Sequence, residues 1–301
     1  MPKNKIIPTE TKVVRFDWAM KTLLRNKANF DILEGFLSEL LKENITIESL
    51  LESEGNQTQA EYKFNRVDLL VNTSQNEKII IEVQSVSEWD FFHRILFGTS
   101  KVVTEYIKKG QKYDQVPKVI SVSILLFNLG VGSDYVYKGS TDFFGVHKND
   151  KLKLNERTVQ LYLKEHNKNI EEVSDIFPTY YLIQLKQFTN IVKDKFDQWV
   201  YILKNESIRS DFDAKGIQSA YEKMNVLKLT ESDRKQYDKY WENISFEASL
   251  AKSHEIDIYV AEKKGREETT LKIAKELLPM MDNKAIAKIT NLSEEEIQNL
   301  R

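Results

Sequence analysis

The chain has 301 residues and a formal net charge of −2, and 41% of its residues are hydrophobic and 30% charged. This composition is typical of a globular protein, and the length predicts ample chain for a core and two domains. The absence of cysteine excludes disulfides and thiolate zinc sites. The small net charge gives no overall basic footprint, so any contact with nucleic acid must come from a local patch.

No stretch approaches about 18 consecutive uncharged apolar residues, so no membrane span is expected. The opening segment, residues 1–12, lacks the apolar core of a secretory signal. We therefore expect an intracellular, cytoplasmic protein without a membrane partner.

Hydrophobic periodicity predicts helices and strands in the first half of the chain. Apolar residues three and four apart indicate helices, and short β-branched apolar runs indicate buried strands. The predicted elements, in chain order, are a helix over residues 30–41, a strand opening at 44–47, strands over 65–73 and 78–86, a helix over 88–107 and a strand over 119–127. This order predicts an α/β domain.

The second half is predicted to be mostly helical. Two further candidate strands, residues 158–163 and 180–185, come first, and helical patterns dominate from residue 188 onward. Residues 261–270 are charged and contain one glycine, which predicts a hinge.

The C-terminal end, residues 271–300, has the pattern of a helix-turn-helix. Ser293 and Glu296 have the spacing of a capping box at the start of the last helix. That helix opens with three glutamates, residues 294–296, whose charge opposes DNA phosphate. We therefore favour packing or self-association over DNA binding for this unit.

Two strands of the predicted hairpin carry acidic residues where a strand interior is normally apolar. Asp68 lies within the apolar run 67–71, and Glu82 follows the isoleucines 79–81, with Gln84 two residues beyond. A carboxylate in a buried strand is costly unless it is paired or binds a metal. Two such carboxylates on neighbouring strands repel each other, and a divalent cation relieves that repulsion. The spacing therefore predicts a Mg²⁺ site.

The hairpin turn decides whether these side chains share a face of the sheet. Alternate residues of a strand face opposite sides, so Glu82 and Gln84 share a face. A two-residue turn would point the carboxylates of Asp68 and Glu82 apart, whereas a three-residue turn over 74–76 would place them opposite each other. Asn76 tolerates the left-handed backbone that the third position of such a turn needs. We expect that turn, or a bulge with the same consequence.

Several further segments accompany this acidic pattern. In chain order they are residues 16–21 (FDWAMK), Lys63 to Asp68, the set Arg94, Phe97, Ser100, Gly110 and Tyr113, residues 184–188 (QLKQF) and residues 199–204 (WVYILK). Together they resemble the PD-(D/E)XK nuclease superfamily, in its branch of recombination-promoting nucleases and transposases. The resemblance covers most of the chain.

The resemblance implies a restriction-endonuclease-like α/β fold with an αβββαβ core over residues 1–205 and a helical extension over 206–301. It implies that Asp68, Glu82 and the backbone carbonyl of Val83 hold Mg²⁺, for which Mn²⁺ can substitute. The implied function is metal-dependent hydrolysis of DNA phosphodiester bonds by an endonuclease linked to recombination or mobile elements. DNA is the expected partner, and the protein is a candidate homo-oligomer.

The third side chain of the superfamily site is usually Lys, whereas this branch has Gln, here Gln84. An amide can orient a water but carries no positive charge. The candidates for that charge, and for phosphate binding, are Lys63, Arg66, Arg94 and Lys101, and the sequence does not choose among them.

Plainer interpretations stand beside this one. The acidic pair could form ion pairs with Arg66 or Arg94 inside a purely structural sheet. The chain could also keep the nuclease fold as a non-catalytic DNA-binding or assembly protein. An aromatic cluster is expected in the core rather than as a platform for bases, and its members are Trp89, Phe91, Phe92 and Phe97.

Overall fold

Eight strands and nine α-helices occur in the residues that this computed structural model describes, which are 9–51, 68–107, 110–166 and 170–300. The strands are β1 (Glu10–Lys12), β2 (Ile47–Leu50), β3 (Leu69–Thr73), β4 (Lys78–Gln84), β5 (Val119–Leu125), β6 (Val136–Gly139), β7 (Thr179–Gln184) and β8 (Ser207–Arg209). The helices are α1 (Phe16–Thr22), α2 (Phe30–Leu41), α3 (Phe91–Glu105), α4 (Glu156–His166), α5 (Lys195–Asn205), α6 (Ile217–Lys223), α7 (Glu231–Leu277), α8 (Asn283–Thr290) and α9 (Glu294–Gln298).

Six of these strands form one mixed sheet in the spatial order β2-β3-β4-β5-β7-β6. β2, β3 and β4 are antiparallel neighbours, β4, β5 and β7 run parallel, and β6 is an antiparallel edge strand. α3 is the crossover that connects the parallel strands β4 and β5. The order α2, β2, β3, β4, α3, β5 is the predicted αβββαβ core, so the α/β restriction-endonuclease-like fold class is confirmed.

The turn between β3 and β4 is the predicted three-residue turn over 74–76. The N–H of Thr73 donates to the carbonyl of Glu77, with 3.0 Å between N and O, and closes the turn. Asn76 has a left-handed backbone with a φ of 60°. Asparagine adopts this conformation more readily than most residues, so the turn follows from the local sequence.

This turn sets the register of the hairpin. Leu69 lies opposite Ile81, and toward the turn Leu70 lies opposite Ile80 and Val71 opposite Ile79. Continued by one residue beyond the strand, the same register places Asp68 opposite Glu82. The hairpin thus brings the two predicted metal ligands to one end of neighbouring strands.

Both faces of the central strands are buried. On one face, α3 packs against the sheet through a cluster whose members are Leu70, Ile80, Val102 and Val119. On the opposite face Ile79 and Ile81 are fully buried. α2 and α5 meet through Phe36 and Trp199, whose ring centroids lie 6.0 Å apart. Glu82 therefore lies in a strand that is covered on both sides.

The chain packs as two compact units, Met1–Arg234 and Lys235–Arg301. Within the first unit β8 pairs with β1, and Gly35 of α2 closely approaches the backbone of Gly216. The expected domain division between residues 205 and 206 stays a prediction.

Residues 261–270, predicted as a hinge, lie inside the continuous helix α7, so that prediction is wrong. Side chains of opposite charge lie one turn apart along this stretch, in the pairs Glu262–Arg266, Lys263–Glu267 and Lys264–Glu268. Such pairs favour a helix and offset the cost of the single Gly265.

The predicted helix-turn-helix unit is present at the C-terminal end. Ile286 of α8 and Ile297 of α9 pack with Ala274 of α7, and all three are fully buried. The predicted capping box is also confirmed, because Ser293 and Glu296 each accept a hydrogen bond from the other's backbone N–H. The apolar residues of this unit form a small core of their own.

Residues 158–163, predicted as a strand, belong to α4, so that prediction is wrong. The side chain of Asn155 accepts a hydrogen bond from the N–H of Thr158, with 2.9 Å between O and N. This contact satisfies a donor at the helix start, and it outweighs the β-branched and aromatic composition of the segment.

None of the helices in the described part of the chain is long and apolar enough to cross a membrane. The cytoplasmic location expected from the sequence stays a prediction.

Candidate metal centre

Asp68 lies immediately before β3, and its carboxylate contacts the backbone of β4. Its Oδ2 accepts a hydrogen bond from the N–H of Val83 at 2.8 Å. Its Oδ1 lies 3.6 Å from the Nζ of Lys21 on α1. The guanidinium of Arg25 donates to the backbone carbonyl of Asp68 at 3.2 Å. Asp68 is thus held at the end of the hairpin by contacts from two elements.

Glu82 lies inside β4 and is only 7% exposed. Its Oε1 has no hydrogen-bond partner among the residues that the structure describes. Burial raises the pKa of the Glu82 carboxyl from 4.5 to about 7, since the nearby charge of Arg94 only partly opposes burial and the charges of Asp68 and Glu88 add to it. A buried acceptor without a partner beside a second carboxylate is the setting in which a cation is favourable.

The backbone carbonyl of Val83 points to the side of β4 where Asp68 lies. In an extended strand the N–H and C=O of one residue point to the same side, and the Val83 N–H points to Asp68. The next carbonyl, that of Gln84, points to the other side and accepts from Leu126 at 3.0 Å. Two carboxylates and one carbonyl therefore lie at this end of the hairpin.

Gln84 and Arg94 are linked through Glu88. The Nε2 of Gln84 donates to the carbonyl of Val86 and to Oε1 of Glu88, both at 3.2 Å. The Nη1 of Arg94 donates to Oε1 and Oε2 of Glu88 at 3.0 and 3.1 Å. Gln84 thus positions the loop between β4 and α3, and Arg94 contributes a positive charge close to Glu82.

The residues present fit a hard divalent cation. Mg²⁺ binds oxygen ligands and keeps several waters, so a protein supplies it with few carboxylates. The described residues contain no group of three or more His, Cys, Asp or Glu placed to hold a metal. Two carboxylates with one carbonyl suit Mg²⁺ better than ions that need a full protein cage.

The remaining predicted residues are placed as follows. Lys63 and Arg66 lie outside the described residues. Lys101 lies on α3 and pairs with Glu105 one turn away, at 3.4 Å. Of the predicted basic candidates in the described residues, Arg94 lies near enough to Glu82 for its charge to lower the pKa of that carboxyl.

The expectation that the aromatic cluster on α3 is buried is largely wrong. Phe91 is buried, but Trp89, Phe92 and Phe97 are exposed. Leu96, one turn after Phe92 on the same helix, is exposed as well. The helical period correctly gives the spacing of apolar residues, but α3 carries two apolar sides and only one of them can face the sheet.

Three further residues, Lys21, Arg25 and Glu88, contact Asp68 or Gln84, and the sequence alone does not indicate these contacts. Lys21 is 47 residues from Asp68 along the chain, so only the packing of α1 brings them together. A signal was present, because Lys21 ends the segment 16–21 that resembles the opening of the family. Glu88 lies in a loop whose path the sequence does not specify.

The mixed sheet, with two carboxylates at the end of its antiparallel hairpin, has the architecture of a PD-(D/E)XK nuclease fold. A model of the PD-(D/E)XK nuclease family transposases matches residues 14–245, and the chain belongs to this family. No curated protein and no solved structure matches the chain. The family supports a nuclease or transposase-like function.

Proposed function

We propose that this protein is a Mg²⁺-dependent DNA endonuclease that hydrolyses phosphodiester bonds. The observation that carries the proposal is a pair of neighbouring carboxylates: Asp68 accepts from the N–H of Val83, and Glu82 has one buried oxygen without a hydrogen-bond partner among the described residues. Membership of a nuclease family supports the general class of reaction. Magnesium dependence, DNA as the substrate and cleavage within the strand are proposed beyond that class.

Asp68, Glu82 and the carbonyl of Val83 would hold the cation, with Mn²⁺ able to replace Mg²⁺. A bound cation of this kind activates a water and neutralises charge that builds on the phosphate. Glu82 must give up its proton to act as a ligand, and its raised pKa makes that step sensitive to pH.

Lys21 is our candidate for the positive charge that Gln84 does not supply. Its Nζ lies 3.6 Å from Oδ1 of Asp68, and its side chain is 56% exposed, so it can also reach a phosphate. Lys21→Ala should lower the cleavage rate, and Lys27→Ala, an exposed lysine close by in sequence, is the matched control. Equal rates for the two variants would remove Lys21 from the site.

DNA as a partner, a link to recombination or mobile elements, a cytoplasmic location and self-association belong to the same proposal. Their support is membership of the nuclease family.

The test is cleavage of supercoiled plasmid by purified protein with and without Mg²⁺. Asp68→Ala and Glu82→Ala should each abolish metal-dependent cleavage with the fold intact by circular dichroism. Glu48→Ala is the matched control, because this carboxylate is exposed on β2 of the same sheet. Retained cleavage in both site variants would overturn the assignment, and DNA binding without any cleavage by the natural protein would favour the non-catalytic alternative.

A further inference from the structure

An exposed apolar patch lies on the segment that follows β4. Its members and their exposed fractions are Val86 (65%), Trp89 (93%), Phe92 (56%), Leu96 (56%) and Phe97 (55%). Single exposed apolar residues are common on protein surfaces, but a group that includes three aromatic rings, one just before α3 and two on it, is typical of a binding surface. We call this group the aromatic patch.

The aromatic patch adjoins the candidate metal centre. The carbonyl of Val86 accepts a hydrogen bond from Gln84, and Glu88, one residue before Trp89, binds both Gln84 and Arg94. The loop that carries the first rings of the patch is therefore tied to the strand that carries Glu82. The first member of the patch, Val86, is only four residues from Glu82 along the chain.

The outward direction of these rings is fixed by the core. Phe91 is buried and packs edge-to-face on Phe127, with 6.2 Å between ring centroids. Ile95, one turn later, belongs to the same buried cluster. Because this side of α3 faces the sheet, Phe92 and Leu96 face away from it.

The composition of the aromatic patch favours bases over phosphates as its partner, because none of its five members carries a charge. The chain carries a net charge of −2, so phosphate neutralisation supplies little binding energy overall. Close to the site, Lys21 pairs with Asp68 and Arg94 pairs with Glu88. Exposed aromatic rings offer a source of affinity for a nucleic acid that does not depend on base sequence, because bases can stack on them.

We propose that the aromatic patch stacks unpaired bases of a DNA strand beside the cleaved phosphodiester. The proposal rests on the proposed function and specifies its substrate as DNA that is single-stranded or opened next to the cleavage position. In an intact duplex the faces of the bases are covered by their neighbours, so exposed rings gain contact only where bases are unpaired.

Tryptophan emission reports on this surface directly. Of the four tryptophans, Trp18 and Trp199 are buried, Trp241 is 37% exposed and Trp89 is 93% exposed. In EDTA and at one fixed salt concentration, a single-stranded oligothymidylate should quench the emission of the natural protein. Trp89→Phe should lose most of the quenching and keep its affinity by fluorescence anisotropy of a labelled strand, whereas Trp241→Phe should keep the quenching.

Affinity supplies a second measurement. Phe97→Ala should weaken binding of the single strand by roughly ten-fold, the effect of one lost stacking contact, and leave duplex binding unchanged. Phe246→Ala is the matched control, because Phe246 is an exposed phenylalanine on α7 of the second unit, with 65% of its surface exposed against 55% for Phe97.

Unchanged emission with the single strand, or equal quenching by a blunt duplex, would overturn the proposal. A change in molecular mass by light scattering in Phe97→Ala would also overturn it, because the patch would then join copies of the chain. The measurements use no cleavage, so Asp68→Ala should keep the quenching. Quenching in a natural protein that never cleaves DNA would refute the proposed function while supporting the stacking surface.

Discussion

The side chain of Asp68 accepts a hydrogen bond from the backbone N–H of Val83, with 2.8 Å between Oδ2 and N. Val83 is the residue whose carbonyl we propose as the third metal ligand. The side chain of Asp68 therefore positions the backbone of Val83. A substitution that keeps this hydrogen bond and removes the charge separates the structural role of Asp68 from its electrostatic role.

Asp68→Asn should abolish metal binding and cleavage without loss of stability. The amide oxygen still accepts from Val83, and loss of the charge removes repulsion that raises the pKa of Glu82. Asp68→Ala also loses the hydrogen bond, so it should be about 1 kcal/mol less stable than Asp68→Asn. Urea unfolding in EDTA measures this difference, and calorimetric titration with Mg²⁺ measures binding. Unchanged Mg²⁺ affinity in Asp68→Asn would contradict the site.

The stability of the metal-free protein should fall as the pH rises from 4.5 to 7. The folded-state pKa of Glu82 is raised to about 7, so the folded protein holds this proton more tightly than the unfolded chain does. This tighter proton binding adds at most roughly 3 kcal/mol to the free energy of unfolding. The contribution is fully present below pH 4.5 and is lost as the pH rises past 7. Glu82→Gln should remove the part of the pH dependence of stability that comes from Glu82. At pH 8 this variant should be more stable than the natural protein. Parallel urea curves across this range in EDTA test the assignment, and identical slopes for the two proteins would refute it.

Gln84→Lys should change the cleavage rate modestly and leave the metal centre in place. A lysine at this position can pair with Glu88, which the amide now contacts at 3.2 Å, and its charge should lower the pKa of Glu82. Cleavage rates measured from pH 6 to 9 should therefore retain activity to lower pH in the variant. A loss of activity as complete as that of Asp68→Ala would show a role for the amide beyond positioning the loop.

Gly35→Ala should destabilise the first unit by about 1–3 kcal/mol or more. A Cβ at this position would collide with the backbone carbonyl of Lys215 and lie 2.7 Å from the Cα of Gly216, so backbone would have to move. Gly265→Ala is the matched change on α7, where nothing lies within 4 Å of the added atom. That variant should gain roughly 0.5–1 kcal/mol of helix stability. Thermal unfolding of both variants compares them, and equal effects would contradict the close approach.

Ile286→Ala should loosen the C-terminal unit and spare cleavage. Ile286 is fully buried in the small core with Ala274 and Ile297, and a cavity there costs about 2–5 kcal/mol. Limited proteolysis should cut near the C-terminal end sooner than in the natural protein, while plasmid cleavage stays the same. A change in mass by light scattering would connect this unit with self-association. Loss of cleavage would instead show that the C-terminal unit supports the site.

The sequence predicts the hairpin well because its determinants are local. Residues 74–76 fix the turn, and the alternation of strand residues then fixes which side chains share a face. Lys21 escapes such reasoning because its contact with Asp68 depends on how α1 packs. The exposure of Phe92 and Leu96 escapes it for a similar reason, since periodicity finds an apolar face but does not say what covers it. Residues 158–163 were misassigned because the cap at Asn155 lies outside the segment whose composition suggested a strand.

The three-residue turn also restricts which insertions and deletions the segment between β3 and β4 can accept. If the turn keeps three residues, one residue gained or lost between Thr73 and Glu77 shifts the pairing by one and turns Asp68 to the face opposite Glu82. Two residues gained or lost together would leave both carboxylates on the same side. Length variants that keep the site should therefore either change in steps of two residues or lengthen the turn itself and keep the pairing of the strands.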